Sequence, residues 1–318
     1  MNTGRAGQAG RRGERELLAR LRRELARQTI QPAAAVPFGD DMAALDPADP
    51  RLLWTTDMLM DGVDFRSAEH GWFDVGWKCM AVNLSDCAAM AARPVGALCA
   101  VALSNALTMD DALRLLQGLR ECGEQYGCPL VGGDTNSWDQ PTVIAVTVAG
   151  RIDPGTPPVL RSGARPGDWV YVTGPVGGSI LGRHLHPCPR VREALEISRT
   201  LAPAAMIDIS DGLAIDLSRV CEESGCGADL DATRLDAAVH EDAHRLASQT
   251  GRTAREHALE DGEDFELIVV LRAPPPDADR KRFGLLPLGR MVAEAGLFLR
   301  VADGSRAPLI PRGWEHFC

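Results

Sequence analysis

The chain has 318 residues, 45% hydrophobic and 25% charged, with a formal net charge of -10. That length is long for one hydrophobic core and predicts two domains, while the composition excludes wholesale disorder. The negative balance excludes a general binder of nucleic acid or of an anionic membrane, since either would repel it. Nine cysteines, an odd count with no C-x-x-C pair, lie mostly in apolar runs. They read as small buried hydrophobes in a reducing compartment, without structural zinc. No apolar run reaches membrane-spanning length, and the Gly- and Arg-rich start lacks a hydrophobic signal core, so a cytoplasmic location is expected.

Residues 1–13 read as a disordered tail. Leu17, Leu18, Leu21 and Leu25 fall on one face of a helix over 14–28. A loop then leads to Gly39-Asp40-Asp41, and 52–56 reads as a short strand ending at Asp57. A helix dense in small residues is expected over 72–92, stopped by Pro94. A buried strand follows over 96–103, an amphipathic helix over 110–123, a strand over 129–131 running into Gly132-Gly133-Asp134, and a β-branched strand over 142–149. This alternation predicts an α/β or α+β domain. Four prolines, Pro154, Pro157, Pro158 and Pro166, place a boundary in 151–167, giving domains over 14–150 and 151–318. The second opens with a strand over 169–173 and Gly177-Gly178. It continues with a strand–turn–helix over 206–223, a helix over 240–249 and strands near 265–271, 285–290 and 297–301.

The informative pattern is carboxylates placed where apolar runs end: Asp40-Asp41, Asp57, Asp86, Asp134, and Asp208 with Asp211. Taken singly, each fits turn or cap chemistry, Asp211 especially, because Leu213, Leu217 and Val220 follow at helical spacing. As a set they suggest a shared purpose. Two carboxylates about 6 Å apart repel by roughly 3 kcal/mol at an effective dielectric near 20, so a converging group requires cations. Hard oxygen donors select Mg²⁺, which usually enters proteins with nucleotide phosphates. There is no G-x-x-x-x-G-K-[ST] loop and no protein-kinase signature, so any phosphoryl transfer uses another architecture.

The strings VPFGDDMAAL, TTDMLMDGVDF, VGWKCMAVNLSDCAAMAARPVGAL, LVGGDTNS, RSGARPGDWVYVTGPVGGS, IDISDGLAIDLSRV, DGEDFELIV and RGWEHF occur in the order seen in thiamine-monophosphate kinases. The resemblance spans about residues 14–317. It implies a two-domain α/β and α+β fold, with an N-terminal domain that pairs in a homodimer to form a β-barrel and a C-terminal α+β domain. It implies ATP as co-substrate, several Mg²⁺ ions and thiamine monophosphate as the small-molecule acceptor. By resemblance, Asp41, Thr56, Asp57, Asp86, Asp134, Asp208 and Asp211 are the Mg²⁺ ligands, with Asp40 a neighbour. Gly133, Asp134, Arg161 and Ser210 are the nucleotide contacts. Asp64, Glu263 and Trp314 belong to the substrate pocket, where Trp314 is read as an aromatic wall or, alternatively, as a C-terminal staple of the core.

Three departures bear on the substrate. The family's GVHF is here Gly62-Val63-Asp64-Phe65, its GGDTTR ends in Asn136-Ser137, and GGEDYEL carries Asp261 and Phe265. An ionised Asp64 cannot donate a hydrogen bond to phosphate, though it favours a cationic ring. The expected reaction transfers a phosphoryl group to a phosphate oxygen already ionised at neutral pH, with its second pKa about 6, so no residue is assigned as general base. The histidines read as surface or structural. Alternatives are another substrate within the same superfamily, or a nucleotide-binding regulator without catalysis. Cys318 reads as incidental.

Overall fold

A computed structural model describes residues 40, 42–44 and 51–315. The expected tail, the helix over 14–28, Asp41 and Cys318 lie outside them. The first half builds a five-stranded sheet from β1 (Ala43–Ala44), β2 (Leu52–Met60), β3 (Arg93–Ser104), β4 (Leu130–Trp138) and β5 (Val143–Arg151), in the order β1-β2-β5-β3-β4. Two helices, α1 (Trp72–Ala89) and α2 (Met109–Gln125), cover one face. β3 and β4 are parallel with α2 as their crossover, while the other pairings are antiparallel. Among the described residues the sheet has two free edges, so it is open and not a closed barrel.

The second half holds a seven-stranded sheet. Its strands are β6 (Trp169–Val172), β7 (Ala205–Asp208), β8 (Gly227–Asp231), β9 (Leu267–Leu271), β10 (Leu286–Val292), β11 (Gly296–Arg300) and β12 (Arg306–Leu309). The order is β12-β11-β8-β10-β6-β9-β7. Its helices are α3 (Val191–Leu201), α4 (Leu213–Ser224), α5 (Ala232–Ala237), α6 (Glu241–Thr250), α7 (Ala254–Glu260) and α8 (Asp277–Arg282). No strand or helix longer than one turn lies between Arg151 and Trp169. Among the described residues no helix is long and apolar enough to cross a membrane.

Two strands run further than their apolar stretches suggest. β2 continues through Asp57 to Met60, and β4 continues through Asp134 to Trp138. The strand period of two explains this, because alternate side chains leave the core and polar types are accommodated on the outward face. β4 is also an edge strand whose residues from Val131 to Trp138 are all exposed, so polarity does not stop it.

α1 decides how the halves meet. It is buried nearly all round, and it touches β2 and β5 of the first sheet and β7 and α3 of the second half. Its small residues allow this crowding. A Cβ on Gly76 would come within 2.0 Å of Leu115 O, and one on Gly118 within 2.0 Å of Phe73 O, so α1 and α2 cross at backbone contact. A helix enclosed on every side should be apolar throughout. The polar residues it does carry mark the site.

Candidate active site between the two halves

Beyond Asp74 in its first turn, four polar side chains interrupt α1, and each has a partner. Asn83 Oδ1 accepts from the Asp57 amide at 3.2 Å, while its Nδ2 donates to Cys79 O. Thr55 Oγ1 donates to Asp86 Oδ2 in a short hydrogen bond. Ser85 Oγ donates to Asp208 Oδ2 at 2.6 Å, which joins the halves. Lys78, fully buried, lies 2.5 Å from Glu263 Oε1 and donates to Asp64 O at 2.6 Å. Burying such groups without partners is strongly unfavourable, so these contacts specify where α1 sits.

Opposite α1, β7 ends at Asp208 and the chain turns through Ile209-Ser210-Asp211-Gly212 into α4. The turn is held from below by Asp216, whose Oδ2 accepts from the amides of Ser210, Asp211 and Gly212 at 3.1, 3.0 and 3.1 Å. Burial pushes the Asp216 carboxyl up, to about 7, and Arg219 pulls in the opposite direction. Arg219 bridges Asp216 at 2.5 Å and Asp211 at 2.6 Å. Asp211 therefore does not cap α4: Gly212 occupies the N-cap with no side-chain bond, and the Asp211 carboxylate faces Arg219. Further along, Glu263 N donates to Ser210 O, and Trp314 N donates to Asp211 O.

These walls enclose a cleft of ≈ 1150 Å³ lined by Asp57, Asp64, Lys78, Ser210, Asp211, Glu263 and Trp314 among others. Asp57 and Asp64 come from the first half; Ser210, Asp211, Glu263 and Trp314 come from the second. Trp314 is 54% exposed and stands on the cleft wall, so it is no core staple. Asp64 Oδ2 accepts from Met60 N at 2.7 Å and closes the turn after β2. Burial raises the Glu263 carboxyl and Lys78 opposes this. His184, expected to be structural, is buried yet lines the cleft; burial and the Lys78 charge push it down to about 4, so it is neutral at ordinary pH.

Other expected residues stand elsewhere. Asp86 and Asp208 lie behind the cleft wall, bonded through Thr55 and Ser85. Thr56 and Asp134 are both on the outward face of the first sheet. Their strands are three steps apart, about 14 Å at the usual spacing. Gly133 sits beside Asp134, where a Cβ would fall 1.8 Å from Cys99 O. The Arg161 amide donates to Asp40 Oδ1 at 2.8 Å. One chain thus gathers Asp57, Asp64, Ser210, Asp211, Glu263 and Trp314 at the cleft but leaves Gly133 and Asp134 on an exposed strand.

The donors suit a hard cation, being carboxylate and hydroxyl oxygens. Among the described residues no three Asp, Glu, His or Cys side chains converge closely enough to cage an ion. Sequence reasoning missed Lys78, Asn83, Asp216 and Arg219. The available signal was Lys78 and Asn83 inside a helix otherwise made of buried residue types.

Residues 39–152 match the profile of the AIR synthase related protein, N-terminal domain. The thiamine-monophosphate kinase of Rhodopirellula baltica is 40% identical, with 95% of this chain and 97% of that one covered. The thiamine-monophosphate kinase of Synechococcus elongatus is 33% identical, over 88% and 91%. Among solved structures, AaThiL complexed with AMPPCP and TMP superposes with a TM-score of 0.81 at 28% identity, covering 96% of this chain and 97% of that one. The chain belongs to the thiamine-monophosphate kinase family.

Proposed function

We propose that this protein transfers the γ-phosphoryl group of ATP to thiamine monophosphate, giving thiamine diphosphate and ADP. The observation that carries this reading is the single cleft in which an acidic turn, Ser210-Asp211, stands beside an aromatic and acidic pocket of Trp314, Glu263 and Asp64. The first suits a cation-bound polyphosphate; the second suits a positively charged ring. A volume of ≈ 1150 Å³ exceeds the usual size of a single small-ligand site, which suits two substrates held together. The likeness to a chain solved with AMPPCP and TMP supports the same pairing.

The residues that would hold Mg²⁺ are Asp57, Asp86, Asp208 and Asp211, with Thr56, Asp134 and Asp41 completing the set. Bound there, Mg²⁺ would neutralise phosphate charge and align the transferring group. The protein's part is to orient. Asp216 and Arg219 fix the 208–212 turn, which brings Ser210 and Asp211 to the nucleotide. Asn83 fixes the Asp57 backbone, and the Thr55–Asp86 and Ser85–Asp208 bonds pin the acids behind it. Arg161 and Gly133 are assigned to the nucleotide. The acceptor phosphate oxygen is ionised at neutral pH, with a second pKa of about 6, so the chain need supply no general base. Alignment and charge neutralisation then supply the rate.

We also read the chain as a homodimer. Met58, Met60, Leu98 and Trp138 are exposed on the outward face of the first sheet, and β4 leaves a sheet edge open beside them. A second copy would cover this apolar face, close the paired sheets into a barrel and enclose Gly133 and Asp134. The domain boundary is placed in 151–167, between the two sheets. Seven of the eight described cysteines are buried free thiols, which supports a reducing, cytoplasmic setting.

The test is incubation of purified protein with Mg²⁺-ATP and thiamine monophosphate, followed by chromatography for thiamine diphosphate. Stoichiometric product and ADP are expected. ATP binding without product points to a regulator and overturns the reading.

A further inference from the structure

Lys78 has a side chain only 1% exposed, within the helix that every neighbouring element packs against. An ammonium there needs a compensating reason, and its contacts supply one. Nζ lies 2.5 Å from Glu263 Oε1 and donates to Asp64 O at 2.6 Å. One charge therefore ties three segments: α1, the turn after β2, and the loop before β9 that belongs to the other half.

The neighbouring acids of that loop are anchored differently. Asp261 accepts from Gly178 N and meets Arg252. Asp264 accepts from Gly177 N and pairs with Arg183. Glu266 pairs with Arg190. All three hold the loop against its own half. Glu263 turns the other way, from a left-handed backbone at φ 63, a conformation disfavoured for a residue with a Cβ. Its side chain keeps 32% exposure at the cleft while meeting Lys78.

We propose that Lys78 is the positioning residue of the acceptor pocket. Its ammonium fixes the Glu263 carboxylate together with the Asp64 carbonyl, so that Glu263 receives a cationic ring or an N–H donor of the phosphate-bearing acceptor. This rests on the kinase reading, because it places the acceptor ring beside Glu263 and Trp314. The contacts of Lys78 run to Glu263 and Asp64, on the acceptor side of the cleft. Its loss should therefore weaken one substrate and spare the other, which general loosening of the fold would not do.

Lys78→Met keeps an unbranched apolar chain and deletes the charge. The KM for thiamine monophosphate should rise about tenfold, with kcat changed less than about threefold and the KM for ATP unchanged. Glu263→Gln should show the same split. The double variant should be no worse than either single, because both act through one contact. Effects that multiply in the double variant, or an equal rise in both KM values, overturn the proposal. Should Lys78→Met fail to fold, the double variant, which leaves neither charge unpaired, is compared with Glu263→Gln alone. Equal KM values for thiamine monophosphate are then expected, and a further rise on removing the lysine is the adverse result. A wild type that binds ATP but never converts thiamine monophosphate sinks both readings. A wild type that converts it, with Lys78→Met kinetically unchanged, sinks only the role of Lys78.

Discussion

Two segments of similar composition, 208–212 and 132–134, have different surroundings. In the first, Asp216 gathers three consecutive amides, Arg219 holds Asp211, and Ser85 reaches Asp208 from the other half. In the second, Gly132, Gly133 and Asp134 lie exposed on an edge strand with one neighbouring strand. Glycine and aspartate give either segment the means to approach phosphate. The surroundings decide which is rigid before any ligand arrives. A turn fixed by several buried bonds is preorganised, and substitutions there should act on rate within a single chain. An exposed strand is unfinished, and substitutions beside it should act through whatever covers it.

The largest effect is expected at the first segment. Asp211→Asn keeps the shape and removes the charge at the cleft. It should lower kcat on the order of 10²–10³-fold, with thermal unfolding shifted by only a few degrees. Steady-state kinetics beside a melting curve would check it. Full activity would show that the rigid turn does not handle phosphate, and the contrast between the segments would lose its functional meaning.

Asp216→Asn comes next and tests the source of the rigidity. Asp216 is fully buried and does not line the cleft, so any loss of activity must pass through the turn. An amide oxygen accepts more weakly than a carboxylate and gives Arg219 no counter-charge. Stability should fall by about 1–3 kcal/mol in denaturant unfolding. The kcat/KM should fall about 10- to 100-fold, as for residues that orient a site without touching the ligand. A variant that loses stability but keeps its kcat/KM would mean that the turn holds its shape without Asp216.

The same contrast explains how much of this was legible in the sequence. Asp57 and Asp211 could be picked out because they stand beside Gly, Ser or an apolar strand, whereas Ser210, Glu263 and Trp314 came only through the family resemblance; the structure brings all five to one cleft. Asp216 could not. In sequence it is one more polar residue inside a helical pattern, and its three amide bonds depend on how the chain folds back over it. Lys78 and Asn83 left a signal, as polar residues in a helix dense in small and apolar types, but their partners, Glu263 and the Asp57 amide, lie far away in sequence. The cap reading of Asp211, weighed beside its reading as a metal ligand, does not hold, because Gly212 takes that position and Arg219 claims the carboxylate. Strand ends were misjudged where polar residues leave the core without ending the ladder, as at Asp57 and Asp134.

The smallest effect on the single chain, and the most direct test of the unfinished segment, is expected on the outward face of the first sheet. Leu98 is 45% exposed there, two residue positions along the sheet from the row that carries Asp134, and it does not line the cleft. Leu98→Glu should change the stability of the chain by no more than about 0.5 kcal/mol, because the side chain already faces solvent. If a second copy covers this face, a buried and unpaired glutamate there is strongly disfavoured, so sedimentation velocity should show the two-chain species replaced by single chains. Activity should then fall with dilution more steeply than in the wild type, since Gly133 and Asp134 would lose their cover, and should recover in part at high protein concentration. A wild type that sediments as single chains at every concentration while remaining fully active would remove the distinction. Asp134 would then stand idle on an open strand, and Asp134→Asn should leave turnover unchanged.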